Sequence, residues 1–191
     1  MSAHSQTPSQ TIGPFFHDGL MGLGGDLAPE GAAGRRVRIE GRVLDGAAEP
    51  VDDAMVEVWQ ADGQGRYRHP FDGRSSGVER SFVGFGRMAS GSDGTYRLDT
   101  VLPGTVPGRG GSIQAPHLNV QVFARGLLVH LSTRIYFEGE QANDGDEVLG
   151  TVPPERRDTL VARADGEAGG VACYRFDVVL QGENETVFFD L

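Results

Sequence analysis

From Arg36 onward the chain alternates in character: Val37, Ile39 and Val43 are apolar, whereas Arg38, Glu40 and Arg42 between them are charged. Successive side chains of an extended chain point to opposite faces, so a period of two marks a strand with one buried and one wet face. The same signature predicts further strands at residues 54–60, 81–89, 95–99, 117–124, 128–137, 160–163 and 172–180. Turn signals such as Asp93-Gly94 and Pro103-Gly104 separate them. Glycine supplies 29 of 191 residues, about twice its usual share of roughly 7%, as a turn-rich fold requires.

Eight strands at this spacing predict an all-β fold, an antiparallel β-sandwich with long loops. Only residues 153–158, where Pro153 and Pro154 lead into charged residues, read as a short helical start, and residues 139–150 read as a loop. Residues 1–35 are rich in Gly, Pro, Ser and Ala without a sustained period. They are expected to form an extended N-terminal arm of the same domain, outside the core of the sandwich at 36–191.

Composition excludes several functions. Lys and Arg total 17 against 27 Asp and Glu, and a net charge of −10 repels both phosphate backbones and anionic lipid headgroups, so no nucleic acid and no membrane partner is expected. Cys173 is the single cysteine, which forbids an internal disulfide or a cysteine metal cage and points to a reducing, cytoplasmic setting. The first residues show neither a basic nor an apolar targeting pattern, and no run is long enough to span a bilayer, so a soluble chain is expected.

The period of two also decides which side chains act together. His117 and Asn119 share one face of their strand, opposite Leu118, Val120 and Val122. That places both at a cavity, an interface or water. On the next strand Val129, Leu131, Thr133, Ile135 and Phe137 face one way, and His130, Ser132, Arg134 and Tyr136 the other. Arg134 is therefore outside the core. An arginine among hydroxyl and aromatic neighbours suits bidentate binding of a carboxylate; the plainer alternative is a surface ion pair of roughly 0–1 kcal/mol. Tyr67 follows the loop from Ala61 to Arg66. A phenolate there is able to ligate a ferric ion, although most loop tyrosines pack or hydrogen-bond.

Six segments in order carry a resemblance: Thr7-Pro-Ser-Gln-Thr-Ile-Gly-Pro-Phe-Phe16, Val56-Glu-Val-Trp-Gln-Ala-Asp62, Ser92-Asp-Gly-Thr-Tyr-Arg-Leu98, Ala115-Pro-His-Leu-Asn119, Thr133-Arg-Ile-Tyr-Phe-Glu138 and Gln181-Gly-Glu-Asn-Glu-Thr-Val-Phe-Phe-Asp190. Together they resemble the intradiol ring-cleaving dioxygenases along nearly the whole chain. The resemblance implies an Fe(III) centre held by two tyrosines and two histidines, the histidines spaced i and i+2 on one strand. Tyr67 and His117 match two of those ligand positions. The other two are degenerate: Val106 stands where iron-bearing chains have tyrosine in Pro-Gly-x-Tyr-Pro, and Asn119 stands where they have the second histidine. Valine has no donor, and an amide is a poor substitute for imidazole at a transition metal.

The resemblance therefore implies a chain that holds no iron itself and pairs with a homologous, iron-binding beta subunit, inactive alone. The implied substrates are 3,4-dihydroxybenzoate (protocatechuate) and O2, and the implied product is 3-carboxy-cis,cis-muconate. Thr11, Gly13 and Pro14 of the arm, with Arg134 on its strand, match positions lining the shared substrate pocket. Whether His130 and Tyr136 reach that pocket stays open. The rival is a non-catalytic binding module: Gly41-Arg-Val-Leu-Asp45, Val51-Asp-Asp-Ala-Met-Val56 and Asp93-Gly-Thr-Tyr-Arg-Leu98 are also similar to transthyretin-like or carboxypeptidase-regulatory β-sandwiches.

Overall fold

A computed structural model describes residues 19–28 and 31–190. As the alternation predicts, the fold is all-β. Its strands are β1 (Arg36–Leu44), β2 (Met55–Gln60), β3 (Phe85–Ala89), β4 (Thr95–Val101), β5 (Val106–Pro107), β6 (Ile113–Gln114), β7 (His117–Phe123), β8 (Leu131–Phe137), β9 (Val161–Ala168), β10 (Val171–Arg175) and β11 (Val178–Val179). One layer runs β4-β1-β10-β9, the other β3-β2-β7-β8, and β9 joins them by pairing β10 with most of its length and β8 with its first residues. Val37, Ile39 and Val43 of β1 meet Val56 and Val58 of β2, Leu118, Val120 and Val122 of β7, and Ile135 and Phe137 of β8 in one apolar core.

A buried amide ties the layers together. Gln60, at the end of β2, has no exposed surface; its Oε1 accepts from Thr100 Oγ1 at 2.7 Å and its Nε2 donates to the Val101 carbonyl at 3.0 Å. With both ends bonded, the side chain avoids the penalty of an unpaired polar group in the core.

Several expectations need correction. The described residues form eleven strands rather than eight, because β5 with β6 forms a short hairpin and residues 172–180 divide at Phe176 and Asp177 into β10 and β11. The pairing is mixed: β1 with β10, β1 with β11 and β8 with β9 run parallel. Strands distant in sequence can be connected by the long crossovers that parallel pairing needs. β8 begins at Leu131 and not at 128, since its ladder with β7 starts at the Val122–Leu131 pair. Leu128 and Val129 are accordingly exposed. β3 likewise begins at Phe85.

The expected loop at 139–150 contains a 3-10 turn, Gln141–Gly145, and most of a short helix, α1 (Glu147–Thr151). Asp146 caps α1 by accepting from the backbone N–H groups of Val148 and Leu149, which satisfies donors that the first helical turn leaves free. The arm is not wholly outside the core. Leu27 is fully buried in the main cluster, and Ala28 packs with Phe82 and Val101. Among the described residues, no helix is long and apolar enough to cross a membrane.

Candidate functional site

The outer face of β7 and β8 is where the sequence placed its chemistry, and the loop after β2 brings the remaining partner. Asp62 organises that loop. Its carboxylate accepts from the backbone of Gln64 and Arg66 and from the Arg66 guanidinium at 2.7 and 2.9 Å. Gly65 turns the chain at φ +73°, where a Cβ would lie 1.8 Å from the Thr105 carbonyl oxygen; only glycine fits both the conformation and the contact. The chain then enters Tyr67, whose N–H donates to Asp72 at 2.9 Å and whose ring packs on Trp59 at 4.5 Å between centroids.

The strands supply the rest by register. Asn119 lies directly opposite Arg134, and His117 opposite Tyr136. Asn119 Nδ2 donates to the Tyr67 hydroxyl at 3.2 Å. His117 is 2% exposed and its Nδ1 lies 2.7 Å from the Ala115 carbonyl. A carbonyl only accepts, so Nδ1 carries the proton and Nε2 is the unprotonated nitrogen. Burial, reinforced by the Arg134 charge, pushes the His117 pKa down to about 4 against the pull of Ala115 and Asp146. The imidazole is thus neutral at pH 7. Burial also raises the Tyr67 pKa, opposed by the Asn119 hydrogen bond and by Arg134, so Tyr67 is a phenol and not a phenolate.

Arg134 is held from below. Its Nη1 donates to Gln114 Oε1 at 3.1 Å and approaches the Tyr136 hydroxyl at 3.4 Å. Tyr136 in turn donates to Asp146 Oδ1 at 3.0 Å, while Asp146 Oδ2 accepts from Ala115 N–H at 2.7 Å. One carboxylate therefore caps α1, fixes the segment entering β7 and anchors the tyrosine beneath Arg134. Val106 joins through the hairpin, where it pairs with Gln114.

The predicted positions Tyr67, Val106, His117, Asn119 and Arg134 therefore converge. Thr11, Gly13 and Pro14 lie outside the described residues. Two depressions flank the cluster: one of about 360 Å3, lined by Trp59, Tyr67, His69, Phe71 and Val106, and one of about 580 Å3, lined by Arg109, Gln114, Asn119, Thr133 and Arg134 among others. A further depression of about 610 Å3, rimmed by Arg42, Arg87, Arg97 and Arg175, contains none of the predicted positions.

Sequence reasoning missed Gln114 and Asp146. A signal existed for Asp146, because an Asp at the N-cap before Glu147 and Val148 is a helix start. None existed for Gln114, whose role follows from hairpin pairing. His130, by contrast, stacks on Phe123 at 5.3 Å, where the loop enters β8.

A ferric ion does not fit these four positions. Val106 offers no donor atom. Asn119 presents its amide N–H to the Tyr67 oxygen, occupying a lone pair that a metal would need. Among the described residues, no group of three or more His, Cys, Asp and Glu side chains could hold a metal.

Residues 25–182 match the protein family described as Dioxygenase, and the chain belongs to the intradiol ring-cleavage dioxygenases. Within that family it is 44% identical to the protocatechuate 3,4-dioxygenase alpha chain of Burkholderia cepacia, over the full length of both. It is 33% identical to the beta chain from the same organism, over 93% of this chain and 77% of that one. Among solved structures, the dioxygenase domain of a carbohydrate-binding fusion from Streptomyces sp. SirexAA-E superposes with a TM-score of 0.64 at 27% identity, covering 94% of this chain and all of that one.

Proposed function

We propose that this chain is the alpha subunit of a protocatechuate 3,4-dioxygenase, working with a homologous beta subunit that binds the iron. The observation that carries the reading is the end-to-end likeness to an alpha chain, 44% against 33% for a beta chain. The degenerate ligand positions support it, because a chain with valine and asparagine at two of four positions needs a partner to supply the metal. The reaction adds both atoms of O2 across the bond between the two hydroxyl-bearing carbons of 3,4-dihydroxybenzoate, giving 3-carboxy-cis,cis-muconate. When bound to the beta subunit, Fe(III) supplies chelation of both substrate hydroxyls and makes the catecholate reactive towards O2.

This chain's own contribution is a wall and a charge. Thr11, Gly13 and Pro14 match positions that line the shared pocket in the family, and a Gly-Pro pair suits a close approach of backbone to a flat aromatic ring. Arg134 adds positive potential for an anionic substrate, either against its carboxylate or by orienting beta-chain groups. Among the described residues Arg134 donates through Nη1, and since guanidinium carries five N–H donors, others stay available there. The lone Cys173 is free, which suits a reducing cytoplasm.

The test is to purify tagged chain from its host grown on an aromatic acid and measure iron and co-purifying protein. Iron arriving only with a second chain that has both tyrosines and both histidines supports the reading; stoichiometric iron on this chain alone overturns it. In the assembled enzyme, Arg134→Ala is expected to keep the iron and lose turnover or raise KM. Wild-type kinetics would remove Arg134 from the pocket.

A further inference from the structure

We propose that the arginine-rimmed depression of about 610 Å3 is a binding site for a small organic polycarboxylate. None of the four ligand positions and no partner chain enters it, so it stands or falls apart from the proposed alpha-subunit role.

Its lining reverses the sign of the chain. The net charge is −10, yet four guanidiniums and one carboxylate, that of Glu40, line this depression. Strand register gathers them. Glu40 lies opposite Arg97 of β4 and opposite Arg175 of β10, and Arg42 follows two residues along β1 on the same face. Arg87, on β3 in the other layer, completes the rim. Three of these arginines have acidic partners: Glu57 for Arg87 at 2.7 Å, Asp99 for Arg97 at 2.8 Å and Asp165 for Arg175 at 3.3 Å. None of those carboxylates lines the depression. Arg87 and Arg175 bond to them through Nε, which leaves the Nη groups of both forks for a ligand. Arg42 is exposed and forms no salt bridge among the described residues. Asp93, which its charge reaches, instead accepts from the Thr95 hydroxyl at 2.6 Å.

The donors define the ligand. A guanidinium fork matches a carboxylate with two parallel hydrogen bonds, and forks spread around a rim select an anion with several such groups over a single small ion. Met21, Met88 and Tyr96 add apolar surface among the charges, which suits a carbon skeleton and offers nothing to an inorganic ion. The volume falls within the roughly 300–1,000 Å3 of small-molecule sites. Glu40 opposes an anion there, so neutralising it is expected to tighten binding.

The test is calorimetric titration of the full-length chain with citrate at neutral pH and fixed ionic strength, with inorganic phosphate in parallel. Saturable binding of one citrate per chain is expected. R42Q is expected to weaken it about tenfold or more, the worth of one charge-assisted hydrogen bond, and E40Q to tighten it several-fold. Arg42 has no ion pair to lose, so R42Q is expected to melt with wild type; if it does not, R175Q takes its place with the same expectation. R125Q removes an equal charge from the pairs with Asp52 and Asp53, outside the depression, and is expected to bind citrate as wild type does. Absence of saturable binding overturns the proposal. Equal weakening by R42Q and R125Q also overturns it, because net charge alone would then attract the anion. Phosphate bound as tightly as citrate overturns the organic class of ligand. Iron content and co-purifying protein decide the alpha-subunit role and leave these outcomes untouched, so the two readings fail separately.

Discussion

His117 shows how one residue's position sets its chemistry. Its folded-state pKa of about 4 lies below the ~6.5 of an exposed imidazole, so as pH falls the unfolded chain binds the extra proton first. The stability this group allows is whole above about pH 6.5 and is lost as pH falls towards 4, by on the order of 3 kcal/mol at the limit. His117→Asn removes the titration and leaves an amide able to reach the Ala115 carbonyl. Urea midpoints measured from pH 7 to 4.5 are expected to fall less steeply in the variant. Parallel curves would mean that His117 is solvated and its burial argument wrong. At the same scale, Arg134 was legible as an outward-facing arginine from period two alone. Its anchor was not, because Tyr136 and Asp146 meet through the packing of α1 against the strands.

At the scale of elements, Gly41 separates what alternation reveals from what it hides. It occupies an inward position of β1, where Val37, Ile39 and Val43 are apolar, and a Cβ there would stand 1.7 Å from the Phe176 carbonyl oxygen. Phe176 crosses at this point, donating its N–H to the Glu40 carbonyl at 3.0 Å and accepting from the Tyr96 hydroxyl at 2.7 Å. Gly41→Ala must push backbone apart, and the expected cost is about 3 kcal/mol or more, read as a lowered denaturation midpoint. An unchanged midpoint would show that the crossing can shift freely. The same crossing divides β10 from β11, a break hidden in the run from 172 to 180 because Arg175 and Asp177 there read as the wet face of one continuous alternating strand. Helix α1 went unread for a different reason: at five residues it is too short to show a period.

At the scale of the whole molecule, Leu27 and Ala28 anchor the end of the arm as a base in the sandwich. Deleting residues 1–14 removes Thr11, Gly13 and Pro14 but leaves that base. The truncated chain is expected to melt within a few degrees of wild type while assembly with a beta chain, or the activity of the assembled enzyme, drops at least tenfold. Unaltered assembly and kinetics would remove the arm from the site. Alternation, turn residues and ordered motifs determined the all-β class, the facing of β7 and β8 and the family, because each is a local or linear property of the chain. Only the tertiary structure decided that β1 pairs in parallel with β10, that Gln114 and Asp146 belong to the site, and that the loop after β2 brings the Tyr67 hydroxyl to Asn119. Those depend on contacts between residues far apart in sequence, which burial and strand register create and no local pattern encodes.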